Sequence, residues 1–172
     1  MAAELPAIEE LNRLPIPDFA AALAPLFEGA PQFLTRLAMA RPFAGYAELW
    51  PAALRIARAM PEAEQLELID AHPRLGAPPA SVSALSFREQ GYDQEAALAQ
   101  AGRLAAELER LNAAYENRFG FRFCVFVNGR SRGTMLPVMA AALDADRETE
   151  IRRALGEVVA IAADRARTLA AQ

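Results

Sequence analysis

Two stretches of the 172-residue chain repeat a set of mainly apolar residues at intervals of three and four. One is Leu98, Ala101, Leu104, Leu108, Leu111 and Tyr115; the other is Ile151, Leu155, Val158, Ala162, Arg165 and Leu169. Side chains at that spacing share one face of an α-helix, and an apolar face must be buried against something. The two stretches predict helices over about residues 93–118 and 147–170, the first capped by Asp93. Upstream, proline and glycine cut the chain into shorter helices. "PDFAAALAPLFEG" has Asp18 as expected N-cap and Gly29 as stop, and "PQFLTRLAMARP" lies between prolines. "YAELWPAALRIARAM" has Pro51 as an early-turn residue, and "PEAEQLELIDA" carries Glu62 and Glu64 in its first turn, where acids favour the helix dipole. "TMLPVMAAALD" predicts a further helix with Pro137 in its first turn or at a kink. Residues 73–85 read as a proline-rich loop. In "FGFRFCVFVNG", Phe121, Phe123, Val125 and Val127 alternate, which fits a short buried extended segment or an apolar helix start; Gly120 and Gly129 favour the former. The expected class is all-α: a single-domain compact bundle of about 7–9 helices over residues 1–172, with one short extended apolar segment.

Charge and cysteine content narrow the function. A net charge of −4 argues against nucleic-acid binding, which needs a strongly basic face. No apolar run approaches the roughly 20 residues that span a bilayer, so no membrane partner is expected. One cysteine makes no internal disulfide, and neither terminus carries a targeting pattern, so a cytoplasmic location is expected. Cys124 sits in an apolar run and reads as a core residue; its rival role is the nucleophile of a thiol hydrolase. With one histidine and one cysteine, nitrogen and sulfur ligands are too few for a metal site, and none is expected.

Three features stand out. His72, the only histidine, lies in "DAHPRLG". A residue before proline is pushed out of the α region, so the helix should end near Ala71 with His72 just past it. Two readings fit: a cap on the last carbonyls, or a general base, its pKa moved up by the helix end if the ring stays near water. "SFREQG", residues 86–91, also has two readings. Ser86 and Glu89 form the S-x-x-E capping-box pattern, or a short turn presents Ser86, Glu89 and Gln90 to a ligand. Arg165 sits inside an apolar helical stripe. It either snorkels outward or binds an anion beneath a pocket. "GRSRG", residues 129–133, fits an anion loop or a turn with surface arginines, and Phe43, Tyr46 and Trp50 read as core.

"AHPRLG", "LSFREQG", "LNAAYENRFGFRFCVFVNGR" and "RETEIRRALGEVVAIAADRARTL", in this order and over nearly the whole chain, resemble the 2-oxo-4-hydroxy-4-carboxy-5-ureidoimidazoline (OHCU) decarboxylase family. The resemblance implies an all-α homodimer that needs no cofactor and acts on a small ureidoimidazoline. Such an enzyme decarboxylates OHCU to S-allantoin in urate catabolism. It implies His72 and Glu89 as catalytic residues. Pro73, Ser86, Gln90 and Arg165 become substrate contacts, with the segment Phe119, Gly120, Phe121, Arg122 and Phe123. Arg122 stands where the family's "FGFPF" has proline, and "HPRLG" replaces the "HPDLAGK" of many members. A same-fold lyase for a related ureide and a non-catalytic helical ligand-binding module are the alternatives.

Overall fold

The computed structural model describes residues 5–91 and 98–170, with side chains from residue 102 onward in the second range. Among the described residues there are nine α-helices, one 3-10 turn and no β-strand, so the chain is all-α. They are α1 (Ile8–Leu11), α2 (Ile16–Phe27), α3 (Pro31–Met39), α4 (Tyr46–Ala59), α5 (Glu62–Asp70), α6 (Ala84–Glu89), α7 (Leu98–Phe119), α8 (Arg132–Ala142) and α9 (Arg147–Ala170). None of the described helices is long and apolar enough to cross a membrane. The chain divides into two compact units, Met1–His72 with Leu155–Gln172, and Pro73–Ala154.

In the first unit α3 packs on α2, α4 and α5. Phe19, Leu23, Leu26 and Phe27 of α2 and Phe33, Leu34 and Leu37 of α3 are all buried. The Phe27 and Phe33 rings meet with centroids 4.9 Å apart. Asn12 closes a two-way bridge with the backbone of Phe43, donating from Nδ2 and accepting at Oδ1, which satisfies two loop groups that no helix serves.

In the second unit α7 packs on α8. Tyr115 is fully buried, its ring 4.6 Å from Phe119, 5.5 Å from Phe121 and 5.2 Å from Phe123. Its phenol donates to Glu150 Oε2 at 2.6 Å. Arg153, one turn along from Glu150, donates from Nε to that carboxylate and from Nη1 to the Cys124 carbonyl. A buried carboxylate is tolerated only with such partners.

Several helix boundaries differ from those expected. α2 begins at Ile16, so Asp18 lies in the first turn and is not the N-cap; Pro15 and Pro17 hold the backbone of that turn. α4 begins at Tyr46, which puts Pro51 inside the helix rather than in its first turn. α8 begins at Arg132 because Ser131 caps it, accepting from the Thr134 N–H, and Pro137 is likewise interior. The long helix is described from Leu98, and the expected cap Asp93 lies outside the described residues. Residues 122–127 form neither helix nor strand; Phe121, Phe123, Cys124 and Val127 are buried and Arg122 is exposed.

Candidate active site

In the first unit α5 runs out against Pro73. Its C-cap is Ala71, and the His72 N–H donates to Ile69 O at 3.2 Å, so His72 sits just past the helix end. The ring turns back on the helix, with Nδ1 3.2 Å from the Leu68 carbonyl. A carbonyl only accepts, so Nδ1 carries the proton and the lone pair of the neutral ring is on Nε2. Capping and base geometry therefore coexist: the cap selects the tautomer that makes Nε2 basic. His72 is 4% exposed. Burial pulls its pKa down from 6.5 to about 4, and the charge of Arg165 pulls the same way, against the Leu68 carbonyl and Glu28. The upward shift expected for a helix-end ring near water does not occur, because this ring is out of water.

Arg165 does not snorkel. It is 2% exposed, and its guanidinium is held inside the unit. Nη1 donates to the Pro25 carbonyl at 3.0 Å and reaches Leu26 O at 3.4 Å; Nη2 lies 2.9 Å from Glu28 Oε1. These are the last carbonyls of α2, where a cation is favoured. Arg165 and Glu28 thus form a charge pair, and both act electrostatically on the His72 ring. Glu28 escaped the sequence reading, because a glutamate before a helix-ending glycine carries no periodic signal.

In the second unit the loop after His72 is tied from two sides. Gln90 accepts from the Gly76 N–H at 2.7 Å and donates from Nε2 to Arg74 O. The buried Asn112 of α7 donates to Leu75 O at 2.9 Å. Arg74 forms a forked pair with Glu116 and reaches Glu109. Pro73, at the start of this loop, is half-buried. Asn112 and Arg74 were not singled out in the sequence either; their roles depend on a loop and helix 35 or more residues apart.

The capping box is not formed. Ser83, extended at φ −63 and ψ 159, caps α6 by accepting from the Ser86 N–H at 3.1 Å. The helix therefore starts at Ala84 and covers Ser86 and Glu89. Ser86 and Gln90 are buried and Glu89 is half-buried. Glu89 and Gln90 line a cavity of about 320 Å³ with Arg88, Arg130 and Arg132, which places the whole of "GRSRG" on its wall. Arg130 also closes its own turn, donating to the carbonyls of Val127 and Phe126. Phe119, Phe121 and Phe123 are buried around Tyr115, while Gly120, at φ +80, ends α7 in a conformation that favours glycine. The candidates are thus divided: His72 and Arg165 belong to the first unit, and Pro73, Ser86, Glu89, Gln90 and residues 119–123 to the second. Cys124 is buried, as expected of a core residue. Among the described residues no three His, Cys, Asp or Glu side chains are grouped to hold a metal ion.

The OHCU decarboxylase family model matches residues 12–167. A 2-oxo-4-hydroxy-4-carboxy-5-ureidoimidazoline decarboxylase of Haloferax volcanii is 33% identical over 156 residues, which is 90% of this chain and 90% of that protein. The uric acid degradation bifunctional protein PucL of Bacillus subtilis is 34% identical over 159 residues; the match takes in 90% of this chain but spans only 31% of that longer protein. A crystal structure of OHCU decarboxylase in the presence of (S)-allantoin shares the fold at a TM-score of 0.66 and 22% identity, covering 84% of this chain and 94% of that one.

Proposed function

The chain belongs to the OHCU decarboxylase family, whose members are carboxy-lyases, and we propose that it decarboxylates OHCU to S-allantoin in urate degradation, with His72 as the general base. The observation that carries this role is the buried, neutral imidazole whose Nδ1–H is committed to Leu68 O, leaving Nε2 as its basic atom. Acid–base help from such a group is typically worth about 10²–10⁴ in rate.

The substrate carries its carboxylate on a carbon that also bears a hydroxyl. In the reaction the bond to the carboxylate breaks and carbon dioxide leaves. The electron pair passes through the ring to a ring nitrogen, which takes up a proton; the hydroxyl then gives up its proton and becomes a carbonyl as a second proton is added to one face of the neighbouring carbon. His72 Nε2 takes the hydroxyl proton. Arg165, fully charged and pre-oriented, holds the ring carbonyls or ureido group and the negative charge that develops there. The family resemblance supports Glu89 as the second catalytic group. It likewise supports Ser86, Gln90, Pro73 and the backbone of residues 119–123 as contacts that fix one bound face, which a single enantiomer requires. The same resemblance supports a homodimer that works without a cofactor, and the single cysteine fits a reducing, cytoplasmic location.

The test generates substrate afresh from urate with the two preceding enzymes and follows S-allantoin by circular dichroism. His72→Ala and Glu89→Ala each slow the enzyme at least about 100-fold. Two variants that kept the wild-type rate would overturn the assignment.

A further inference from the structure

We propose that Glu28 is a positioning residue of the reaction: from the end of α2 it sets the orientation of the Arg165 guanidinium and balances its charge beside His72. The inference rests on the reading that Arg165 meets the substrate. It starts from the backbone. Glu28 is in the left-handed region, φ 54 and ψ 27, followed by Gly29 at φ 108 and Ala30 at φ 53. Glycine adopts that conformation at no steric cost and other L-residues do not, so a helix end of this kind favours glycine at position 28. Here a glutamate occupies it, and its side chain is used: Oε1 lies 2.9 Å from Arg165 Nη2.

The geometry is that of an orienting clamp. The Arg165 side chain is 1% exposed and that of Glu28 is 16% exposed, so the pair is largely out of water, where one charge without the other is costly. The two α2 carbonyls hold Nη1 while the carboxylate holds Nη2, and contacts at both nitrogens fix the plane of the guanidinium. Without the carboxylate, Nη2 loses the contact that, together with the carbonyls on Nη1, sets the plane of the guanidinium. The guanidinium charge near His72 also loses its counter-ion. Misplacement of a substrate-holding group by about 1 Å costs on the order of 100-fold in rate.

A merely structural ion pair predicts lost stability and an unchanged enzyme once folded. A positioning role predicts a double-mutant cycle that closes on Arg165. Glu28→Gln keeps the shape and an acceptor oxygen but removes the charge, and thermal unfolding identifies the folded preparation. Folded Glu28→Gln is expected to lose about 10–100-fold in kcat/KM, with kcat falling as well as KM rising. Arg165→Ala loses at least as much. The double variant loses little more than Arg165→Ala alone, because the orienting role of Glu28 is exercised through Arg165. Glu28→Asp, which keeps the charge on a shorter arm, recovers part of the loss. Wild-type kcat/KM in folded Glu28→Gln, beside an impaired Arg165→Ala, overturns the inference, as do losses that simply multiply in the double variant. An Arg165→Ala enzyme of wild-type kcat/KM instead overturns the substrate role of Arg165, on which the inference stands.

Discussion

The buried histidine makes stability depend on pH in a way that can be isolated. In the folded protein burial pulls the His72 pKa from 6.5 to about 4. In the unfolded chain the imidazole is in water and titrates near 6.5. Below that pH the unfolded state binds a proton that the folded state refuses, so folding is penalised. The stabilising contribution is therefore complete above pH 6.5 and is lost progressively as pH falls toward 4. Linkage gives a loss of roughly 1.4 kcal/mol between about pH 7.5 and about pH 5.5. Other groups titrate in the same range, so the comparison is with His72→Leu, which keeps an apolar volume at the site and has no other histidine to confuse it. Urea unfolding followed by far-ultraviolet circular dichroism at both pH values supplies the numbers. The stability difference between the two proteins should fall by that amount on acidification. A difference that stays constant would refute the buried, neutral imidazole, and with it the basis for Nε2 as a base at neutral pH.

Two further perturbations test how the second unit is held together. Gly76 sits at φ +81, and a Cβ built there would lie 2.8 Å from Leu108 Cδ1 and 3.3 Å from Leu108 Cβ; Gly76→Ala should cost more than about 1 kcal/mol in denaturant unfolding, and less in a Leu108→Ala background. Tyr115 donates to a carboxylate in the core, and burial together with that carboxylate raises its phenol pKa well above the ordinary range; Tyr115→Phe should cost about 1.5–3 kcal/mol by the same measurement, and a neutral result would show that Glu150 does not depend on the phenol.

The helices were legible because periodicity is a local property of the chain. The apolar stripe from Ile151 to Leu169 became α9, with Ile151, Leu155, Val158, Ala162 and Arg165 all buried. Proline at 73 placed His72 at a helix end, for a steric reason confined to two residues. Helix starts were harder. Ser83, Ser86 and Asp18 all have capping chemistry, and backbone conformation chose among them, so that Ser83 capped α6 while Asp18 fell inside a turn already begun by prolines.

The resemblance, carried by four short segments in order, identified the family from sequence, and the family match and relatives bear it out. The electrical state of the site lay beyond the pattern. Whether His72 is charged depends on what excludes water from it, and whether Arg165 snorkels depends on acceptors about 140 residues away, at Pro25, Leu26 and Glu28. Sequence by itself determined the all-α class, the helix-end histidine and the arginine in the apolar stripe. Only the tertiary structure decided that the histidine is neutral, which of its nitrogens is basic, and which carboxylate holds the arginine. Desolvation and charge pairing act between groups distant along the chain, and no spacing rule encodes them.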